Sequence, residues 1–166
     1  MANCAPKTPP TGCLDVTIQE SIILPNYNLQ QSFNTFTVCG INNYVTRTEV
    51  IDYRWSGSGI GIIDFVDSKS EQTPGSFVNA DVKYIRITNF PNSDTYASIH
   101  CINTISESVT FKVDPGKSII LSNDDIEIPS ATTSSFGYIN EIKAMAGNGD
   151  GSYTGSIQIE YVVASA

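Results

Sequence analysis

Histidine and tryptophan occur once each in the 166 residues, methionine twice and cysteine four times. Basic residues are also scarce, nine against seventeen acids, for a formal net charge of −8. A phosphate-binding surface needs clustered Lys and Arg, so nucleic acid is excluded as a partner. No window approaches the roughly 18 uninterrupted apolar residues of a membrane span, and the opening "MANCAPKTPPTGC" has no apolar run of the signal-peptide kind. The expectation is a chain made in the cytosol, or exported by another route, with no membrane contact. His100, the one histidine, alternates with Ile99 and Cys101 in "SIHCI", and no nucleophile-elbow motif accompanies it. It reads as an ordinary strand residue, and no residue of the chain is marked as catalytic.

Cysteine is equally uninformative as chemistry. Cys4, Cys13, Cys39 and Cys101 contain no C-x-x-C pair and no neighbouring histidine, so no zinc site is expected. Without a signal peptide the thiols are expected to be free, because cytosolic proteins rarely hold disulfides. Cys39 and Cys101 lie in strand-like runs and should fill core, whereas Cys4 and Cys13 flank a Pro/Thr-rich stretch.

What the chain does contain is strand and turn material. Ser, Thr and Asn make up more than a quarter of it, which leaves little room for helices built from Ala, Leu, Glu and Lys. Leu14, Val16 and Ile18 alternate with Asp15, Thr17 and Gln19, and Ile22, Ile23 and Leu24 continue that strand to Pro25. Similar runs follow at 33–40, 44–55, 60–66, 82–90, 96–103, 108–113, 118–121 and 155–163, separated by turn signals such as "SGSG", "TPGS", "FPNSD", "DPGK" and "NGDG". The segment 138–146, "YINEIKAMA", fits a helix turn through Ile139, Ile142 and Ala146 and a strand through Tyr138, Ile142, Ala144 and Ala146. It is assigned as a strand. The length is that of one domain. The predicted fold is all-β: a single antiparallel β-sandwich, jelly-roll-like, over 14–166, preceded by an extended arm over 1–13.

Four features invite a functional reading. Asn123, Asp124, Asp125 and Glu127 are oxygen donors of the kind calcium prefers, but they lack the D-x-D-x-D-G order and distal Glu of a known loop, and no metal is predicted there. "NGDG" at 148–151 is accounted for by a hairpin connection. "WSGSGIGI" at 55–62 lacks the G-x-G-x-x-G order, and its glycines read as a bulge or a close backbone approach, so no nucleotide cofactor is expected. Trp55, Tyr53 and Tyr44 have the ring faces of a sugar platform, against the plainer reading as core or interface aromatics. None of the seventeen acids stands in a motif that marks a glycosidase pair.

The strongest binding candidate is the arm. Pro6, Pro9 and Pro10 restrict it toward extended, polyproline-like conformations, which lowers the entropy lost on docking. Cys4, Pro6, Lys7, Pro9, Pro10 and Cys13 are the predicted partner-binding residues, on a neighbouring subunit, with packing along the chain's own sheet edge as the alternative.

The second half has a recognisable cadence: "IRITN" at 85–89, "PGKSIIL" at 115–121 and "IEYV" at 159–162. Over 82–163 it resembles the small β-sandwich virion proteins of tailed bacteriophages, especially those of aquatic phages. The resemblance implies a non-enzymatic structural role, as a capsid decoration or cement protein or as a neck or tail component. It implies the major capsid protein, other virion proteins and further copies of itself as partners. It also implies synthesis in the bacterial cytosol and residence in the virion. A carbohydrate-binding adhesion module is the alternative from another class, and a small hydrolase ranks below both because no nucleophile and base pair is visible.

Overall fold

The computed structural model describes residues 11–22, 30–52, 59–132, 134–147 and 155–166. Among the described residues it is all-β apart from one 3-10 turn, Asn79–Asp81. Two strands, β1 (Gly12–Ile22) and β2 (Gln30–Ile41), form a sheet of their own. A second sheet has the order β3-β12-β6-β9, from β3 (Asn43–Asp52), β12 (Ser156–Ser165), β6 (Val82–Asn89) and β9 (Ser118–Ser122). The third has the order β5-β4-β11-β7-β8, from β5 (Ser76–Val78), β4 (Ile60–Val66), β11 (Phe136–Ala146), β7 (Ala97–Asn103) and β8 (Ser108–Val113). A short β10 (Glu127–Pro129) pairs with the start of β11. Pairing is antiparallel except between β4 and β5, which run parallel.

The second and third sheets share one core. Ile85, Ile87, Ile157, Ile159, Tyr161 and Val163 enter it from one side; Ile99, Cys101, Val113, Ile139, Ile142 and Ala144 enter from the other. Along β12, Ile157, Ile159, Tyr161 and Val163 alternate into this core as a two-residue period requires. Val162 and Ala164 point the other way and are nevertheless buried. Leu14, Val16, Phe36 and Ile41 of the β1–β2 ribbon pack on them and on Tyr84, so the ribbon lies over the outer face of the β12 sheet. That second layer explains why the end of the chain reads as an unbroken apolar run.

Segment 138–146 is a strand, and its mixed periodicity has a local cause. Ile139 pairs with Asn103 and Glu141 with Ile102, leaving Asn140 as an extra residue, a β-bulge. The bulge turns both Ile139 and Ile142 into the core at a spacing of three, which in the bare sequence imitates a helix turn.

The Pro115–Gly116 turn does not close a hairpin. Lys117 N–H donates to the Asp114 carbonyl (3.0 Å) with Gly116 at φ +76°, as a type II turn needs. It carries the chain from β8 in one sheet to β9 in the other. The turn is pinned to Asn89, whose carbonyl accepts from Gly116 N–H (2.8 Å) and whose buried side-chain amide donates to Val113 O (2.9 Å) and Thr95 O (3.1 Å).

The free-thiol expectation fails for two of the cysteines. Cys13 and Cys39 face each other across β1 and β2, with Cα atoms 4.1 Å apart, and are joined as a disulfide. Cys39 is exposed and does not fill core; Cys101 does, is fully buried and remains a free thiol. Spacing along the chain gave no hint of the pairing, because it depends on strand register. Gly12 and Cys13 stand within β1, so the last two residues of the predicted arm are strand.

Candidate functional site

Three surfaces have the shape or composition of a binding site. The first is the ribbon. Its inward face carries Leu14, Val16 and Ile18 opposite Val38, Phe36 and Asn34. Its outward face is a cross-strand ladder of the Cys13–Cys39 disulfide, Asp15 accepting from Thr37 (2.6 Å) and Thr17 beside Thr35 (3.1 Å). Gln19–Ser21 and Gln31–Thr35 are exposed on both strands, and Phe33 is 63% exposed. A lone two-stranded ribbon is marginal in water, so the disulfide and the apolar contact at its base hold it.

The second lies where β3 meets β4 and β11. Arg47, Glu49, Asp64, Asn140 and Glu141 line an open cleft of about 490 Å³, together with Ile62, Ile63 and Phe65. The bulge at Asn140 helps aim Asn140 and Glu141 here. The phenol of the buried Tyr161 donates to Glu49 Oε1 (3.2 Å), and burial raises its pKa, with Arg47 acting against that. Arg47 lies over Gly75, at φ +95°, and a Cβ there would overlap the Arg47 Nη2 atom. Gly75→Ala is therefore expected to lower stability by about 1–2 kcal/mol from backbone strain alone and to displace Arg47. In calorimetry that is a fall in Tm of about 3–6 °C for a chain of this size; an unchanged Tm contradicts the packing.

The third lies on the opposite flank, where β8 of one sheet and β9 of the other come together with β10 between them. Val109, Phe111, Leu121, Ile126, Ile128 and Pro129 make a mainly apolar cleft of about 480 Å³, within the usual size of binding pockets. Glu127 is the one charged residue among those lining it. Asn103 holds its wall: its side-chain amide donates to Ile128 O (2.9 Å), and its carbonyl oxygen accepts from Glu107 N–H (2.8 Å) and Ile105 N–H (3.1 Å).

The sequence-predicted residues fall as follows. Cys4, Pro6, Lys7, Pro9 and Pro10 lie outside the described residues, as do Tyr53, Trp55 and 148–151. Cys13 is in the ribbon disulfide. Tyr44 is 54% exposed and lines a small hollow between ribbon and sheet with Tyr84 and Arg86. Gly61 sits beside the irregularity in the β4–β11 pairing, as the bulge reading of the glycines expects. In the acidic loop Lys83 Nζ donates to the Asp124 carbonyl (3.1 Å) and Asp124 N–H to Asn123 Oδ1 (3.0 Å). Among the described residues no three His, Cys, Asp or Glu side chains gather as a metal would need. The clefts were not anticipated, because no linear motif encodes which strands become sheet edges.

His100 stands in a cross-strand row between Lys143 and Thr110. Its Nδ1 is 2.8 Å from Thr110 Oγ1, and among the described residues no third group orients Nε2. A nucleophile and base need such an orienter and a place for substrate. Burial, and then Lys143, lower the His100 pKa. The unfolded chain therefore takes up this proton first, and stability falls as pH drops through the ordinary imidazole range toward the lower folded value. His100→Gln should leave Tm near neutral pH within error and reduce its fall between pH 7 and 5, as thermal melts across that range will show. Cys101 is no nucleophile: burial pushes its thiol up to about 12.

No protein-family model and no curated protein matches this chain.

Proposed function

We propose that the chain is a non-enzymatic structural protein of a tailed-bacteriophage virion, a decoration or cement subunit that binds neighbouring capsid subunits in many copies. The observation that carries this reading is the strand order of the two-sheet body. Its two main sheets run β3-β12-β6-β9 and β4-β11-β7-β8. The chain alternates between them from β3 through β4 and β6 to β7, keeps β8 beside β7, and alternates again through β9, β11 and β12. This order supports reading the body as a jelly-roll sandwich, an architecture of viral capsid and lectin domains. Fold alone does not assign function. The surfaces add to it: a stapled ribbon and an apolar cleft suit contacts between subunits, and a weak contact repeated around a shell gains by avidity.

In this reading residues Cys4, Pro6, Lys7, Pro9 and Pro10 supply the partner contacts and Cys13 fixes the ribbon that follows them. The protein is made in the bacterial cytosol, and the ribbon disulfide forms and persists on the released particle, where conditions are oxidising. Purified chain added to particles stripped of it is expected to co-sediment and to saturate at a fixed ratio to the major capsid protein. Failure to bind contradicts the proposal, and saturation at only a few copies moves the subunit to the neck or tail.

A second reading, a carbohydrate-binding adhesion module, draws on the polar cleft. Arg47, Glu49, Asp64, Asn140 and Glu141 offer the donors and acceptors that sugar hydroxyls need. Binding on a glycan array that is lost in Glu49→Gln and Asp64→Asn would favour it over the shell role.

A further inference from the structure

We infer that the apolar cleft between β8 and β9 is the receiving site for residues 1–10 of a second copy of the chain. The cleft is bordered by two strands that, among the described residues, are each paired on one side only, β8 with β7 and β9 with β6. Such edges present backbone donors and acceptors to an extended segment. At one end, β10 brings Pro129 opposite Phe136, which is 58% exposed, and the nearby Ile105 is 44% exposed. Apolar surface therefore continues from the cleft to its mouth.

Charge favours this occupant. Glu127 lines the cleft, Asp124 and Asp125 directly precede Ile126 of its wall, and no Lys or Arg lines it. Residues 1–10 contain Lys7 and no acid, whereas residues 11–166 hold all seventeen acids and the other eight basic residues, 8 − 17 = −9. The first ten residues thus carry the sign of charge that suits this rim; the other long acid-free stretches with a basic residue, 21–48 and 82–93, supply β2, β3 and β6. They are also rich in Pro and Ala, which are apolar, and each proline lacks the N–H that would otherwise need a partner on docking. This inference rests on the intermolecular reading of the arm and adds its acceptor.

The test is sedimentation velocity of the full-length chain over a concentration series, with Lys7→Glu, Glu127→Lys, the double variant and Phe136→Ser. Positions 127 and 136 are exposed, so the variants are expected to keep the wild-type circular dichroism and Tm. Either charge reversal should weaken self-association about three- to tenfold, as expected for a rim charge pair, and the double variant should restore it. Phe136→Ser should weaken it about tenfold or more, because it removes an apolar anchor. Absence of concentration-dependent association, unchanged association in the charge variants, or failure of the double variant to restore it overturns the inference. A deletion of residues 2–10 separates the two layers. If deletion abolishes association while the charge variants do nothing, the arm is intermolecular and this cleft is not its acceptor.

Discussion

Asn103→Ala is expected to lower the stability of the protein by about 3 kcal/mol, the sum of three modest losses. The side chain is 1% exposed and satisfies Ile128 O, Glu107 N–H and Ile105 N–H at once. Truncation leaves those backbone groups without their partner, and a buried group so stranded costs about 1–3 kcal/mol. The two turn amides are only partly buried and recover some of that from water, which keeps the total near the lower end. For a chain of this size the fall in Tm is about 6–12 °C. The effect should reach beyond stability, because Asn103 ties the β7–β8 turn to β10, the strand that walls the apolar cleft. Chemical denaturation at neutral pH provides the check, and a loss below about 1 kcal/mol would mean that the turn is held by its own backbone bonds.

Removing the ribbon disulfide is expected to have a similarly large but local effect. Cys13 and Cys39 are 26 residues apart, and a cross-link closing a loop of that size stabilises by about 3–4 kcal/mol on the chain-entropy account. Cys13→Ser with Cys39→Ser should therefore reduce amide protection in β1 and β2 by roughly two to three orders of magnitude in native-state hydrogen exchange. The two-sheet body has its own core, to which no described residue of the ribbon contributes, so exchange in β6, β7, β11 and β12 should change little. The exception is Tyr84, Val162 and Ala164, which the ribbon covers and which should become accessible. Uniform loss of protection across the body would show that ribbon and body unfold as one unit.

Much of the all-β character was legible because strand alternation and turn chemistry are local. The runs at 82–90 and 155–163 fall on β6 and β12, and "DPGK" forms the type II turn its Pro-Gly pair suggests. Legibility ended where neighbours decide. The bulge at Asn140 blurred the period of β11, and whether Val162 and Ala164 are buried depends on a ribbon more than a hundred residues earlier in the chain. Cys13 and Cys39 meet because ten residue pairs of β1 and β2, from Cys13↔Cys39 to Ile22↔Gln30, fall into one register, a fact that their separation in sequence does not carry. The two clefts belong to sheet edges and so to topology. In the acidic loop the Asp124 carbonyl accepts from Lys83, which is distant in sequence, a contact that the loop's own residues do not signal.

The proposed role is that of a repeated structural part of a phage particle. Quantitative mass spectrometry of purified virions, read as the molar ratio of this chain to the major capsid protein, tests it most directly. A fixed ratio, reproducible between preparations, corresponding to many copies per particle and retained through density-gradient purification, is the predicted result. Absence from purified particles, with the protein recovered only in the unassembled fraction, would contradict it.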